Sequence, residues 1–384
     1  MRSLPRHLKR VTTGGNWIPE IDSLRFVAIL SVVFFHMLKE VLDRSGRVIA
    51  VQPRYDWLVA MLVNGNRGVE LFFVISGYVL GQPFFRYYRQ GGPKISLARY
   101  YMRRVTRLEP PYLISLAIYS VALLAYFHVG LKQLTPHLLA SMAYMHGVAY
   151  HQMSTINGVT WSLEIEIEFY LIVPLMARLF CIADVGLRRV LMVGIICGGG
   201  ILQMKLPLGS FFWLTIVAFL QYFLAGFMLV DLLAESSTPR HKHWGWDLLS
   251  LLLWPVVFML PYGSLAAHAV LPVLIMVLYL AAFLGPISNR LFRMQWMAVI
   301  GGMCYSIYLM HQLIISSCFK ITRRFLHAQD FLVDYAEQTV VMAGLILIFS
   351  TAFYLLVERP CMDPSWPRKL LERIQKTSAA RAEI

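Results

Sequence analysis

Charged residues are scarce in this 384-residue chain, making up 15% of it, against about 25% in a typical soluble domain. The charges cluster in short stretches between apolar runs of about 20 residues, and such a run can cross a hydrocarbon core about 30 Å thick. No polar stretch is long enough to form a separate soluble domain. The composition therefore excludes an ordinary soluble enzyme and predicts a polytopic integral membrane protein.

Acidic residues are also few. The chain has 21 Asp and Glu against 35 Lys and Arg, and its formal net charge at pH 7 is +14. In a soluble protein this excess would suggest a nucleic-acid partner. In a membrane protein, Lys and Arg accumulate in cytoplasmic loops. We therefore expect the basic residues to lie next to the lipid bilayer, and we expect no nucleic-acid partner.

Cysteine is rare, with five residues that form no CxxC motif and no paired spacing. Most of them fall inside apolar runs, where a free cysteine behaves as a small apolar residue. We therefore expect neither a disulfide framework nor a metal site.

Ten apolar runs predict an all-α bundle of about ten transmembrane helices. We place these helices at residues 21–41, 68–85, 111–129, 161–181, 187–204, 211–233, 247–262, 267–286, 297–319 and 336–357. Segment 136–150 has the pattern of an amphipathic half-helix. The predicted organisation is a cytoplasmic N-terminal segment 1–20, a membrane domain 21–358 and a basic cytoplasmic tail 359–384.

The charges between the runs orient the bundle. The most basic segment, 86–107, carries Arg86, Arg89, Lys94, Arg99, Arg103, Arg104 and Arg107. If the N-terminus is inside, this segment and most other basic loops face the cytoplasm. Segments 39–67 and 320–335 fit this arrangement less well. An even number of spans with both termini in the cytoplasm best satisfies the positive-inside rule.

Ionisable residues inside the predicted spans are candidates for function, because a charge at membrane depth is costly. Arg25 and His36 share one face of the first span and lie about 16 Å apart along its axis. The alternative for Arg25 is that it serves as an interfacial anchor. The alternative for His36 is that it is a buried core histidine whose hydrogen bonds are satisfied. The predicted topology places His36, Glu70, Glu166 and His311 at one depth. Such a group suits general acid–base catalysis or a proton relay.

Three glutamates open the fourth span, in the sequence Trp161-Ser162-Leu163-Glu164-Ile165-Glu166-Ile167-Glu168. Glu164 and Glu168 share a helix face, and Glu166 points about 200° away from Glu164. A structural alternative is that these acids complement the helix dipole, with Thr160 as the N-cap.

Arg104 and Arg107, on the cytoplasmic side, share a face if their segment is helical. Paired guanidinium groups bind phosphate well. The alternative is ordinary positive-inside charge or contact with anionic lipid.

These motifs together resemble those of the acyltransferase family 3 membrane proteins. The matching blocks occur in family order: residues 18–25 followed by ten residues and His36; residues 68–77; Arg104 and Arg107; Trp161, Ser162 and Leu163 with Glu166, Phe169 and Tyr170; Tyr305, Ser306, Tyr308 and His311; and Glu358, Arg359 and Pro360. The chain departs from the family pattern at Ile167, where an acid is common, and at Glu168, where Gln is common.

The resemblance implies transfer of an acyl group from cytoplasmic acyl-CoA, with acetyl-CoA expected, to a hydroxyl group. The implied acceptor is a cell-surface polysaccharide, a lipid-linked saccharide or a related small molecule. The resemblance also implies a bacterial-type inner membrane and a reaction without a metal.

The resemblance also implies roles for particular residues. His36 is expected to act as general base, or alternatively to carry the acyl group itself. Glu166 and His311 are expected to assist it, with Glu166 orienting or balancing an imidazole. Arg104 and Arg107 are expected to bind the donor, and Arg25 is expected either to bind a donor phosphate or to pair with an acid. The residues expected to line the acceptor side are Glu70, Trp161, Ser162, Tyr305 and Tyr308.

Two other functions remain open. A proton-coupled transporter or flippase of a polar solute also carries His, Glu and Arg within its spans, although no inverted repeat is visible here. A non-catalytic scaffold or sensor of an envelope assembly would tolerate Ala at the same residues.

Overall fold

The computed structural model describes residues 17–44, 52–207, 210–234, 242–260, 265–325, 330–363 and 365–367. Within these ranges the chain forms helices and turns and no strand, which confirms the all-α fold class. Most of the predicted terminal segments, 1–20 and 359–384, lies outside the described residues.

Sixteen α-helices are found in the described ranges. They are α1 Pro19–Arg44, α2 Asp56–Val63, α3 Gly68–Arg89, α4 Leu97–Ala125, α5 Leu131–Met142, α6 His146–Tyr150, α7 Trp161–Met176, α8 Val185–Lys205, α9 Ile216–Ala234, α10 Trp244–Met259, α11 Leu265–Leu284, α12 Pro286–Phe292, α13 Gln295–Gly302, α14 Cys304–Thr322, α15 Phe331–Phe353 and α16 Arg359–Cys361. A π-helical turn, Tyr354–Glu358, joins α15 to α16.

Each of the ten predicted spans overlaps at least one helix, with two helices in 297–319, but fewer helices meet the length and composition of a span. In the part of the chain that the structure describes, seven helices are long and apolar enough to cross a membrane, or eight if α13 and α14 form one span. Helices α7 and α10 have 16 residues each. The protein is therefore a multi-pass helical membrane protein, and the count of ten rests on the sequence alone.

The third span begins earlier than predicted. Helix α4 starts at Leu97, where the Ser96 hydroxyl caps it by accepting a bond from the Arg99 N–H, so the arginines of segment 97–107 are helical. Pro110 has no N–H for the carbonyl of Thr106, four residues earlier. That carbonyl instead accepts a hydrogen bond of 2.9 Å from the Trp366 indole. The helix continues through the proline because a side chain replaces the missing donor.

The predicted ninth span, 297–319, is broken. Helices α13 and α14 meet at 68° across Met303, next to the glycines Gly301 and Gly302, and paired small residues are a common site for such a bend. Gly301 packs so closely on α1 that a Cβ atom there would lie 1.7 Å from the Asp22 carbonyl oxygen. The break places the first turn of α14 against the interior of the bundle.

Two glycines bring α3 and α9 into backbone contact. A Cβ atom at Gly77 would lie 2.0 Å from the Phe223 carbonyl oxygen, and one at Gly226 would lie 2.2 Å from that of Val74. Small residues permit this approach between membrane helices. Phe223 also stacks on Phe169 of α7, with ring centroids 3.9 Å apart. The crossing thus fixes α3 and α7 relative to each other.

Buried charges fix other helix ends. Arg67 is fully buried and donates to the carbonyls of Val257 and Leu260 at the end of α10. Cations at a helix C-terminus complement its dipole. Arg188 of α8 forms a fully buried ion pair with Asp231 of α9. Both arginines therefore join neighbouring helices.

Segment 136–150, predicted as an amphipathic half-helix, is helical but contains a break. Helix α5 ends at Met142 and α6 begins at His146. Tyr112 of α4 donates a hydrogen bond of 2.8 Å to the Ser141 carbonyl. Its ring also stacks on Tyr144, with centroids 4.7 Å apart. These contacts hold the segment against the bundle.

The α3–α9 crossing makes a testable prediction. Replacing Gly226 by Ala should lower the free energy of unfolding by about 1–3 kcal/mol, because the added Cβ meets backbone atoms that cannot yield. The control is Gly194→Ala on α8, where a Cβ meets nothing within 4 Å. Thermal unfolding in detergent measures both. Equal midpoints for the two variants would contradict the packing described.

Candidate functional site

A cavity of about 670 Å³ lies inside the bundle, bounded by side chains of α1, α3, α4, α7 and α14. Its volume is in the range typical of small-molecule sites. The walls change in character along its length, from a basic end on α3 and α4 to a hydroxyl-rich end on α7 and α14.

The basic end of the cavity carries six cationic side chains. They are Arg86, Lys94, Arg99, Arg103, Arg104 and Arg107. The guanidinium carbon of Arg104 lies 3.6 Å from the centre of the Tyr100 ring, and its Nη1 donates a hydrogen bond of 2.6 Å to the Tyr100 carbonyl. These contacts hold one cation of the cluster in place before any anion binds.

Arg25 lies farther along the wall and is held by an acid of its own helix. The Asp22 carboxylate accepts a bond of 2.5 Å from Arg25 Nη1 and one of 2.8 Å from the Trp17 indole. Both Arg25 and Asp22 side chains are largely buried. Arg25 therefore faces the cavity in a fixed position, which differs from the flexible surface placement of a snorkelling anchor.

Glu166 faces the middle of the cavity. Its Oε1 accepts a hydrogen bond of 2.8 Å from the Ser76 hydroxyl and one of 2.5 Å from the Tyr170 hydroxyl. Tyr170 is also 5.4 Å from the Arg104 guanidinium, measured to the ring centre. Glu166 is therefore connected through Tyr170 to the basic end.

The other two glutamates of α7 have structural partners. Glu164 accepts a hydrogen bond of 2.7 Å from the Gly147 N–H of α6. Glu168 accepts one of 2.6 Å from the N–H of Ile216, the first residue of α9. Thr160, expected to cap α7, makes no capping bond, and its hydroxyl donates to the Asn157 carbonyl instead. The two acids thus bind backbone N–H groups at the starts of the neighbouring helices α6 and α9, rather than at the start of their own helix.

Hydroxyl groups close the far end of the cavity. The Tyr308 hydroxyl donates a hydrogen bond of 2.6 Å to the Val159 carbonyl and lies 3.0 Å from the Ser162 hydroxyl. The Tyr305 hydroxyl donates one of 3.0 Å to the Leu108 carbonyl, one residue after Arg107. Helix α14 is thereby joined to both α7 and α4.

His36 and His311 form a pair, with ring centroids 5.1 Å apart. His311 is fully buried, and its Nδ1 lies 3.0 Å and 2.9 Å from the carbonyl oxygens of Ile307 and Tyr308. Two acceptors at Nδ1 assign the hydrogen of the neutral ring to that nitrogen. The basic nitrogen is then Nε2, which is buried and has no hydrogen-bond partner among the described residues.

The histidine pair lies just beyond the cavity. Val32 and Tyr308 line its wall, whereas His36 and His311 do not. His36 follows Val32 by four residues, or about 6 Å along α1, and His311 follows Tyr308 by three, or about 4.5 Å along α14. The pair is therefore about one helical turn past the hydroxyl-rich end.

The cavity gathers most, but not all, of the residues proposed from the sequence. Those on its wall are Arg25, Arg104, Arg107, Ser162, Glu166, Tyr305 and Tyr308. Glu70 is buried in the first turn of α3 and does not line the cavity. Trp161 packs on Phe219, with ring centroids 5.5 Å apart, and is also absent from the wall.

Sequence reasoning gave no role in binding or catalysis to several polar residues of the wall, among them Ser76, Glu358 and the cations Arg86, Lys94, Arg99 and Arg103. Ser76 lies in the 68–77 block and Glu358 in the closing block, so both motifs were visible although no role was assigned. The signal that could have identified Glu358 is its position as an acid directly after the tenth apolar run.

Comparison with known proteins gives one family and several relatives. The family model described as an acyltransferase domain matches residues 18–358. The peptidoglycan O-acetyltransferase OatA of Listeria monocytogenes is 29% identical over 189 residues, which cover 45% of this chain and 26% of the relative. The O-acetyltransferase OatA of Staphylococcus aureus strain NCTC 8325 is 28% identical over 169 residues, covering 41% and 24%.

The aligned regions cover about a quarter of the length of these relatives. A putative O-acetyltransferase of S. aureus strain COL gives a similar alignment, with 27% identity over 167 residues. No solved structure matches the chain.

The contacts of the α7 glutamates predict different effects on stability. Glu168→Ala removes the acceptor at the start of α9 and should lower the free energy of unfolding by about 1–2 kcal/mol, as loss of a helix cap does. Glu166→Ala removes bonds from two side-chain hydroxyls at the cavity and should cost less. Thermal unfolding of both variants in detergent measures the difference. A larger loss for Glu166→Ala would contradict these assignments.

Proposed function

The chain belongs to the acyltransferase family 3, and from this premise we propose that it is a membrane-embedded O-acyltransferase. It moves an acyl group, with acetyl favoured, from cytoplasmic acyl-CoA to a hydroxyl of a saccharide or lipid-linked glycan. The observation that carries the proposal is the cavity, which begins at six cations and ends one turn from a pair of histidines. The relatives are named as O-acetyltransferases, which supports acetyl as the group transferred.

The donor enters at the basic end. Coenzyme A carries its phosphates at one end and its thioester at the other, and clustered cations stabilise phosphate groups. Arg104 and Arg107 were proposed for this role from the sequence, and Arg86, Lys94, Arg99 and Arg103 join them at the same wall. Arg25 lies on the wall beyond them and contacts the phosphate-bearing end or the chain that follows it. The thioester then points towards the histidine pair.

The chemical step needs a base beside the thioester. His36 accepts the proton of the acceptor hydroxyl as its oxygen attacks the thioester carbonyl carbon. The new C–O bond forms, the C–S bond breaks, and the coenzyme A thiolate leaves and takes up a proton. The neighbouring His311 supplies a second basic nitrogen, Nε2, fixed by the bonds at its Nδ1. The Ser162 hydroxyl, 3.0 Å from the Tyr308 hydroxyl, donates to the reacting oxygen atom, while the Tyr308 O–H stays bonded to the Val159 carbonyl.

The role that we propose for Glu166 differs from the orientation of an imidazole that was expected from the sequence. In the described residues its hydrogen-bond partners are Ser76 and Tyr170 rather than an imidazole. We propose that Glu166 balances the cationic end of the cavity and, with Tyr170, orders the passage for the part of the donor that joins its phosphates to its thioester. Glu70 and Trp161 support the helices around the site and do not touch the donor.

The membrane arrangement follows from the sequence. We propose ten spans with both termini in the cytoplasm of a bacterial-type inner membrane. The basic end of the cavity then faces the cytoplasm, and the acceptor approaches the histidine pair from the opposite side. A saccharide of the cell surface is the acceptor class that this direction favours.

Removing the base should stop transfer. We expect His36→Ala to lower the acetyl-transfer rate by at least about a hundredfold, the usual contribution of a general base, without loss of folded protein. The matched control is His128→Asn, at an exposed residue with positive φ that Asn tolerates. The assay uses radiolabelled acetyl-CoA, purified protein and peptidoglycan fragments or lipid-linked saccharide. Full activity of His36→Ala would overturn the assignment, and solute flux without labelled acceptor would favour a transporter.

The basic end should govern donor affinity. Replacing Arg104 by Gln should raise the KM for acetyl-CoA about tenfold or more, because a charge-assisted hydrogen bond contributes about 1.5–3 kcal/mol. The control is Arg290→Gln on α12, an exposed residue away from the cavity. Steady-state kinetics at fixed ionic strength measure both. An unchanged KM in Arg104→Gln would remove this residue from the donor site.

A further inference from the structure

Glu358 is a buried acid to which the proposed reaction assigns no role. It is fully buried at the end of the π-helical turn that follows α15, and its side chain reaches the cavity wall. A π turn inside a helix is rare and occurs often at functional sites. A carboxylate in such a place is costly unless hydrogen-bond donors stabilise it.

The carboxylate is stabilised by the start of α14. Glu358 Oε2 accepts a hydrogen bond of 3.0 Å from the Ser306 N–H and one of 2.5 Å from the Ser306 hydroxyl. Ser306 is the third residue of α14, and Met303, in the N-cap position, makes no side-chain capping bond. An N–H at this position is one that a helix leaves unsatisfied, and an N-cap side chain normally accepts from it. Glu358 thus caps α14 from another helix.

The capped turn carries the tyrosines of the cavity. Tyr305 precedes Ser306 and reaches the Leu108 carbonyl beside the basic end, while Tyr308 follows it and reaches Val159 and Ser162. This turn also begins at the 68° break after α13. Its direction is therefore not set by a continuous helix and depends on its own contacts.

We propose that Glu358 is a positioning residue for acyl transfer, which holds the first turn of α14 so that Tyr305 and Tyr308 keep their places on the cavity wall. The proposal rests on the proposed function. Glu358 acts through hydrogen bonds that both a carboxylate and an amide oxygen can accept. Its negative charge is not required in the reaction.

The substitutions Glu358→Ala and Glu358→Gln separate positioning from charge. Glu358→Ala should lower kcat about tenfold or more, a loss of at least ~1.4 kcal/mol at the transition state, with the KM for acetyl-CoA nearly unchanged because the arginines stay in place. Glu358→Gln should keep most of the activity. A loss in Glu358→Gln as large as that in Glu358→Ala would overturn the proposal.

Ser306→Ala tests the same contact from the other side, and remains informative if Glu358→Ala fails to fold. It removes the O–H donor and keeps the N–H, so we expect a fall in kcat of about threefold, smaller than the loss of both bonds. The matched control is Ser317→Ala, three turns farther along α14, with wild-type activity expected. A wild-type kcat in Ser306→Ala would contradict the proposal.

A measurement without catalysis distinguishes failure of this inference from failure of the proposed function. Cys304 is the first residue of α14 and lines the cavity, so its alkylation by N-ethylmaleimide reports on the capped turn, with Cys318 as the internal reference. Mass spectrometry should show several-fold faster labelling of Cys304 in Glu358→Ala and Ser306→Ala, as expected for a frayed helix end. Glu358→Gln and Ser317→Ala should label as the wild type does. Unchanged labelling in Glu358→Ala overturns positioning even if no acetyl transfer is detected.

Discussion

An ionised side chain inside a helical bundle is stable only where charges or hydrogen bonds replace the water that it has lost. The described part of this protein meets that constraint repeatedly at helix ends. Arg67 binds the final carbonyls of α10, Asp231 pairs with Arg188, and Glu168 accepts from the first N–H of α9. Each of these groups connects elements that are distant in sequence, and together they fix the frame around the cavity.

The same constraint separates structural charges from those that face the cavity. Glu164 and Glu168 bond backbone N–H groups outside the cavity, whereas Glu166 on the same helix bonds two hydroxyls at its wall. At the basic end, six cations gather with no comparable number of acids on the wall. Such a concentration of positive charge is costly in isolation and attracts an anionic ligand. The proposed donor, which carries phosphate groups, satisfies that requirement.

The sequence predicts the helices better than their breaks. Hydropathy is a local property, so each apolar run is helical over most of its length, and the spacing of Arg25 from His36 follows from helix geometry alone. The continuation of α4 through Pro110 and the close packing of Gly301 on α1 depend on contacts that the local sequence does not contain. Trp366, for example, replaces a donor lost at Pro110 although it lies 260 residues from Thr106, whose carbonyl it binds.

In the candidate site, too, the local sequence predicts some features, and others depend on contacts between distant residues. The family resemblance indicated Arg25, Arg104 and Arg107 as candidates, together with Glu166, the tyrosines and the paired histidines, because these residues fall in its sequence blocks. It could not assign Glu168 to α9 or place Trp161 against Phe219, since both partners lie far along the chain. Glu358 was visible as part of a motif, but its role requires the position of Ser306, 52 residues earlier. Tertiary partners, rather than residue types, decide these roles.

We propose that acyl-CoA lies in the cavity with its phosphates at the basic end and its thioester towards His36 and His311. A cryo-electron microscopy structure with a non-hydrolysable acetyl-CoA analogue tests it most directly. The account predicts density for the phosphates beside Arg104 and Arg107, and density for the acyl end next to Tyr308, within reach of the histidine pair. Well-resolved density for the analogue outside this cavity, or in it with the phosphates at the tyrosine end, would contradict the account.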